Sequence, residues 1–470
     1  MIRFAAALLL LFLALSSHAQ TIVWEDPIEV APPEFGLNNL RMELDANGLP
    51  IILHGKTGSS GGLYCTRSNG DGFDAPVQIT QETGLFINDS EGPRMAVNGD
   101  LVVVGYQISG QWAQGGRTVL STDGGVTWGG PIAISPGATE DHFMPTPAID
   151  AEGHPWVAVK WGDNPTLEGI LSWDEDAGAY GAAVDGGSAF PGGIACECCA
   201  SMPFEHEGRR YNAVRINDNN TRDFHLARTD EDGAWTESLD IDPTNWTINS
   251  CPASEAEVAV LGDGTLAFVY MSAAEGGSRT YWSTVDPESW SLTGSDRIAP
   301  DLESVENHPS IAADGDHSLG AWERNDGGYD IWVGVGPNDE QGPANWHWTQ
   351  DNVTASLSGH SRKPIVRVHG NTVHLVYQRP SEGLVHYRIG TVTPDAVDES
   401  DMGLWSCAPF EQGWQVTGIP LPMEWILYDA LGRTVQSGTS PDGRIPASFR
   451  GAGILDVRAK GQRRAFRVQR

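Results

Sequence analysis

Four of the six cysteines are placed where they could act together. Three stand as Cys196-Glu197-Cys198-Cys199, and the fourth follows in Asn249-Ser250-Cys251-Pro252. Between them runs Asn217-Asp218-Asn219-Asn220-Thr221-Arg222-Asp223. Sulfur in this density has three chemistries. It can form disulfides, two of them if Cys251 joins one of the first three and a local pair closes. It can ligate a soft metal such as Cu or Zn, with imidazoles from His142 and His360 as further ligands. It can also supply a reactive thiol. Cys65 and Cys407 remain and could pair, although one lies among internal repeats and the other near a separate C-terminal segment.

These residues share a position in a repeat. Each of Cys196, Cys198, Cys199, Cys251, His142 and His360 lies roughly nine to twelve residues ahead of a turn glycine: Gly208, Gly262, Gly153 or Gly370. The repeat itself is a proline, a short strand, a glycine turn and an apolar strand. Its clearest copies begin at Pro93, Pro147, Pro203, Pro252, Pro309 and Pro364, spaced roughly 50 to 57 residues apart, and an earlier copy without the proline starts at Leu40. Second strands are expected at 51–54, 101–106, 156–161, 211–215, 265–271, 319–322 and 373–377. Seven units with about four short strands each predict an all-β, seven-bladed β-propeller. Equivalent loops of neighbouring blades meet around a central channel, so the cysteines should cluster at its mouth, with Cys251 bonded to the 196–199 loop if disulfides form.

Ser121-Thr122-Asp123-Gly124-Gly125-Val126-Thr127-Trp128 reads as a tight hairpin turn. The glycines tolerate positive φ, the Ser and Asp side chains accept from turn N–H groups, and Trp128 packs across the turn. Its pattern, carried by Ser121, Asp123, Gly125 and Trp128, resembles the Asp-box of sialidase-like β-propellers, which joins the third and fourth strands of a blade. Decayed copies occur at 68–73, 172–180, 229–235 and 283–290. The seventh unit ends after its third strand at 385–389, and Ile28-Glu29-Val30-Ala31 resembles the outer strand it lacks. The N-terminal strand is therefore expected to close the ring and remove a sheet edge. Sialidases of this family have six blades, so a seventh departs from their pattern.

The resemblance implies chemistry that can be sought residue by residue. Sialidases use an arginine triad for a carboxylate, a tyrosine nucleophile activated by Glu, and an aspartic acid/base. Their opening Arg-Ile-Pro is represented here by Leu40-Arg41-Met42-Glu43, which keeps only the arginine. Arg94, Arg215, Arg324 and Arg362 are further guanidinium candidates, and Tyr377 and Tyr387 lie where the nucleophile would be sought. None carries the surrounding motif. The cysteine and Asn217–Asp223 stretches resemble a group of secreted Asp-box proteins usually described as sialidase-like.

The ends of the chain bear on location. Arg3, an apolar run from Phe4 to Leu15 and Ser17-His18-Ala19 form the pattern of a secretory signal peptide over residues 1–19. No later run is apolar enough to span a membrane. The formal net charge of −33 excludes a nucleic-acid binder and suits high salt or divalent cations such as Ca²⁺. That charge belongs to residues 20–420, because the last fifty residues are basic. The propeller is expected over 20–395, a linker over 396–420 and a separate β-sandwich over 421–470. The last stretch, with Tyr428-Asp429-Ala430-Leu431-Gly432-Arg433 and a Lys/Arg-rich terminal strand, resembles the type A C-terminal sorting domain of the type IX secretion system. It implies passage through the periplasm to the outer surface or medium by way of that machinery. The expected function is a monomeric propeller that binds or cleaves glycans at its channel mouth, as an exo-sialidase-like glycoside hydrolase if it is an enzyme. The alternatives are a non-enzymatic adhesin or scaffold and a metal-dependent enzyme.

Overall fold

In a computed structural model, the structure describes residues 20–58, 61–162, 165–230, 233–236, 238–300, 302–394, 406–410, 413–417, 422–429, 434–446, 452–459 and 462–469. The expected signal peptide, the 396–405 part of the expected linker and the Gly432-Arg433 pair lie outside them. The chain divides into two compact units, Met1–Pro394 and Asp395–Arg470.

The first unit is a seven-bladed propeller of antiparallel sheets. Inner strands are Asn38–Leu44, Arg94–Asn98, His142–Ile149, Met202–His206, Glu257–Val260, Val305–Asp314 and Arg362–His369, for blades one to seven. Second strands are Pro50–Lys56, Leu101–Gln107, Pro155–Trp161, Arg209–Arg215, Leu266–Ser272, His317–Asn325 and Thr372–Arg379, each containing or overlapping its expected segment. Their central residues are largely apolar because both of their faces are covered. Val102, Val103 and Val104, for example, are all fully buried. The core is therefore a ring of layers between blades rather than one central mass. Leu53 and Leu63 of blade one pack with Val102 and Val104 of blade two, and Val333 of blade six packs with Leu375 of blade seven. Each such side chain contributes about 1.5–3 kcal/mol when buried.

The N-terminal segment closes the ring. Ile28 pairs with Tyr387 and Glu29 with His386, and Val30 N–H donates to the Val385 carbonyl. A second piece, Gln20–Trp24, pairs with residues 390–394 of the same third strand, Leu384–Pro394, which the sequence reading did not foresee. The turn at residues 121–128 joins the third and fourth strands of blade two. Ser121 Oγ donates to Asp123 Oδ1 at 2.7 Å and accepts from Gly125 N–H at 2.8 Å, while Asp123 accepts from Thr127 N–H at 2.8 Å. The Thr127 hydroxyl and amide, with Ser121, hold the Asp123 carboxyl down at about 2. The four decayed copies occupy the same hairpin in blades one, three, four and five, where Ser68 bridges Phe73 and Thr229 bridges Trp235.

One helix, Gly342–Thr349, replaces part of this hairpin in blade six. Its Trp346 is fully buried over Gly320 and Gly334, where a Cβ would come within 2.5 and 2.7 Å of the tryptophan. The helix is too short to announce itself by periodicity. In the second unit, Ser406–Phe410, Gly413–Thr417 and Arg444–Pro446 form one small sheet, and Thr434–Ser440, Met423–Asp429, Ala452–Ala459 and Gln462–Gln469 form another. Residues 406–410 and 413–417, expected within a linker, are thus strands of this unit. Trp414, Trp425, Leu427 and Leu455 form its buried core.

Candidate functional site

A recurring backbone irregularity builds the channel mouth. At the start of the inner strands of blades one, three, six and seven the register slips, between Asn38 and Arg41, Phe143 and Thr146, Asn307 and Ser310, and Arg362 and Ile365. Each slip holds a non-glycine residue at positive φ: Asn39 at 56°, Met144 at 53°, His308 at 47° and Lys363 at 52°. Such a conformation costs about 1–3 kcal/mol, and bulges of this kind re-aim side chains next to functional sites.

Beside these bulges, with Lys363 the one bulge residue among its members, a lattice of ion pairs crosses the channel. Glu255, leading into blade five, meets Arg41 of blade one at 3.2 Å and Arg94 of blade two at 2.5 Å. Arg367 of blade seven reaches Glu43 of blade one at 2.6 Å and Glu257 of blade five at 3.3 Å. Lys363 pairs with Asp89 at 2.7 Å, and Asp89 also accepts from Gln378 at 2.9 Å. Arg41, Asp89, Glu255, Glu257, His308 and Lys363 border a cavity of about 30 Å³, room for about one water. A second hollow of about 360 Å³ opens on the opposite face between blades four and five, where the Arg228 guanidinium lies 4.1 Å over the Trp290 ring.

The carboxyls of the mouth are pushed apart. Burial raises the proton affinity of Glu257, and Glu43 and Glu255 add to this against the pull of Arg367 and Ser310. Burial acts on Asp89 too, but Lys363, Asn39 N–H and Gln378 outweigh it and keep its carboxyl below the usual range. Burial lowers Arg94 to about 10, with Arg41 acting in the same direction. One cavity thus holds a carboxyl that favours its proton and one that gives it up.

The cysteines cluster beside this mouth. Cys198 and Cys251 form a disulfide with Cα atoms 6.0 Å apart, stapling the segments that lead into blades four and five. Cys196 Sγ lies 3.5 Å from Cys198 Sγ and 3.4 Å from Cys199 Sγ, both Cys196 and Cys199 being free and buried. Arg222 Nη1 approaches Cys196 Sγ at 3.0 Å while pairing with Glu197 at 2.9 Å. The Cys199 thiol, then the Cys198 backbone N–H, Arg222 and Arg215, favour the Cys196 thiolate over burial and bring it to about 6. Burial and the neighbouring Cys196 push Cys199 well up. Side chains able to hold a metal are present, as Cys196, Cys198 and Cys199 and separately as Asp150, Glu152 and His154. With Cys198 in a disulfide, however, the first group offers only two free thiols. His142 and His360 are not part of it. His142 Nδ1 faces Ser135 Oγ and its ring packs on Trp161, while His360 Nδ1 accepts from Tyr329 N–H. Cys65 is buried beneath the turn at Gly125, and the side chain of Cys407 lies outside the described residues.

The five arginine candidates separate into two kinds. Arg41 and Arg94 come together on Glu255, and Arg362 stands at the rim, where it grips Glu323 at 2.8 and 2.9 Å. Arg215 is spent on packing: it donates to the carbonyls of Arg222 and Met271 and lies 4.0 Å over Phe224. Arg324 likewise covers the Trp332 ring and pairs with Asp326. No arginine triad forms from these five. Tyr377 is fully buried, its hydroxyl has no partner, and burial pushes it up to about 12, which is unlike an activated nucleophile. The Tyr387 hydroxyl shares a hydrogen bond with His374 Nδ1 at 2.8 Å. The sequence reading missed Asp89, Glu255, Glu257, His308, Lys363 and Arg367. A signal was there, since His308 and Lys363 immediately precede the repeat prolines Pro309 and Pro364.

Comparison with solved structures finds chains of similar fold. A polysaccharide lyase of family PL25, an ulvan lyase bound to -[GlcA(1-4)Rha3S]-, matches with a TM-score of 0.50 at 11% identity, over 80% of this chain and 99% of its own. A Dyadobacter fermentans protein of unknown function matches at 14% identity and TM-score 0.43, over 67% of this chain and 98% of its own. A Trypanosoma rangeli sialidase in complex with the inhibitor DANA matches at 11% identity and TM-score 0.44, over 95% and 89%. The likeness to the lyase concerns the fold alone. No protein-family model matches the chain, and no curated protein matches it.

Proposed function

We propose that the protein is an exported propeller that binds acidic glycans at its channel mouth, with Arg41 and Arg94 as the carboxylate clamp. The observation that carries this reading is the meeting of two guanidiniums from adjacent blades on one carboxylate, Glu255, in a chain of net charge −33. A carboxylate between two arginines stands in for the acid group of a uronic or sialic residue. Binding requires Glu255 to swing out, because the cavity of about 30 Å³ is too small for a sugar ring. Its neighbours then supply further recognition: Lys363 and Arg367 for anionic substituents, Asp89 and Gln378 for hydroxyls. The opposed proton affinities of Glu257 and Asp89 support acid–base cleavage of a bound glycan. Binding without turnover would mark an adhesin instead.

The terminal sequences support export by a signal peptide over 1–19 and by a sorting unit at the basic C-terminus, and the turn at 121–128 supports kinship with Asp-box propellers. Mature wild-type protein and Glu255→Gln should be applied to an array of acidic and neutral glycans. Glu255→Gln is expected to bind acidic glycans about tenfold more tightly, and Arg41→Ala to lose that gain. Absence of acidic-glycan binding by both forms defeats the reading. Truncation after Pro420 in a host with type IX secretion should hold the propeller in the periplasm, and its continued arrival outside would refute the export route.

A further inference from the structure

We propose that Cys196, Cys198 and Cys251 form a thiol–disulfide exchange site whose exit sulfur, Cys251, takes up a small external disulfide. Three observations place the atoms. Cys196 Sγ stands 3.5 Å from the disulfide sulfur of Cys198, about van der Waals contact for two sulfurs. Arg222 Nη1, 3.0 Å away, stabilises the attacking thiolate with positive charge. Burial differs sharply along the chain of sulfurs: Cys196 is 0% and Cys199 1% exposed, whereas Cys251 is exposed. An outside reagent therefore reaches Cys251 first.

The internal step balances without an oxidant, and the external disulfide accepts the electron pair in the second. Cys196 thiolate attacks Cys198 Sγ, the Cys196–Cys198 bond forms, the Cys198–Cys251 bond breaks, and its electron pair leaves on Cys251 as thiolate. That thiolate attacks a low-molecular-weight disulfide RSSR, giving Cys251–S–S–R and releasing RS⁻. Cys199 Sγ, at 3.4 Å from Cys196 Sγ, packs beside the attacking sulfur and holds it in place. The consequence is local. The staple between the segments leading into blades four and five opens, and the 251–255 stretch that carries Glu255 into the arginine pair loses its anchor. The exchange itself stands independently of what the channel binds.

The test uses the mature, non-reduced protein in its native state, treated in parallel with iodoacetamide and with oxidised glutathione, neither of which opens a protein disulfide by itself. Peptide mapping without reductant should find Cys251 modified and a Cys196–Cys198 linkage in the wild type. Cys199→Ser should retain both. In Cys196→Ser, modification of Cys251 should fall at least about tenfold, because the attacking thiolate is gone. Arg222→Gln, which keeps all four sulfurs, should slow the modification several-fold. An intact Cys198–Cys251 bond after exhaustive treatment of the native wild type overturns the proposal, without appeal to any variant. Equal modification of Cys251 in wild type and Cys196→Ser overturns it too.

Discussion

Lys160 Nζ lies 3.0 Å from Glu168 Oε2, and neither side chain reaches solvent. The pair is completed across the interface of blades three and four, where Ser201 Oγ accepts from Lys160 at 2.8 Å and Asn212 donates to Glu168 at 2.8 Å. A buried ion pair gives little net stability, but removing one partner strands the other charge. Lys160→Met should therefore cost about 3–5 kcal/mol, and Lys160→Met combined with Glu168→Leu clearly less. Denaturant unfolding of both variants checks this, and an equal or larger loss in the double variant would show that the pair does more than neutralise itself.

The turn at Ser121 gives a pH-dependent contribution of defined sign. The Asp123 carboxyl is held at about 2 by Thr127 and Ser121, below its ordinary 3.8. A depressed carboxyl stabilises fully above the unfolded value and loses that contribution as pH falls through the folded one. Asp123→Asn should lower the melting temperature by a few degrees near neutral pH, and the gap to wild type should close between about pH 4 and pH 2. A gap that stays constant through that window would assign the loss to geometry instead of charge.

How far the sequence could be read follows from which physics each element obeys. Second strands were legible because burial on both faces leaves an apolar run with a proline and a glycine turn at fixed offsets. The sulfur cluster was legible too, because the repeat puts the 196–199 and 251 loops side by side whatever their separation; the Cys198–Cys251 bond spans 53 residues. Gln20–Trp24 was not, since five residues of mixed polarity next to a signal-like segment resemble the debris of cleavage. The channel lattice was hidden for another reason. His308 and Lys363 point inward only because a bulge puts them at positive φ, and strand alternation says nothing of where a bulge falls. Arg215 and Arg324 misled in the opposite sense: a guanidinium at a strand end looks like a ligand group until its aromatic neighbours are known.

Two buried imidazoles make the propeller sensitive to acid. Burial holds His54 and His374 each at about 4, below the ordinary 6.5. His54 is enclosed by the Gly36 carbonyl at 3.1 Å and Thr66 Oγ1 at 2.8 Å, and His374 by Tyr387. Both bind protons more readily in the unfolded chain, so their contribution to stability is complete above about pH 6.5 and is lost toward pH 4, by roughly 3 kcal/mol for each residue. Unfolding at pH 5 draws about one proton onto each of the two histidines, against release from Asp242, which burial holds at about 7, and the net uptake is measured by calorimetry in buffers of different ionisation enthalpy. His374→Gln should remove one of the histidine protons. Uptake unchanged in that variant would place the acid sensitivity elsewhere.

Closure of the ring can be tested at a single glycine. Gly390 faces the N-terminal strand so closely that a Cβ there would meet Ile22 Cγ2 at 2.6 Å and the Trp24 ring at 2.8 Å. A branched side chain has no room unless Gln20–Trp24 leaves the sheet, and its departure bares the edge of Leu384–Pro394. An unpaired edge is a template for a second chain. Gly390→Val should therefore act as deletion of residues 20–31 does, producing dimers and larger species that light scattering detects, with a lower melting temperature. Val30 and Ala31, buried against Leu40, Met42 and Val385, make the full deletion the more severe of the two. If Gly390→Val stays monomeric with an unchanged melting temperature while the deletion aggregates, the 28–31 piece alone closes the ring and Gln20–Trp24 is dispensable.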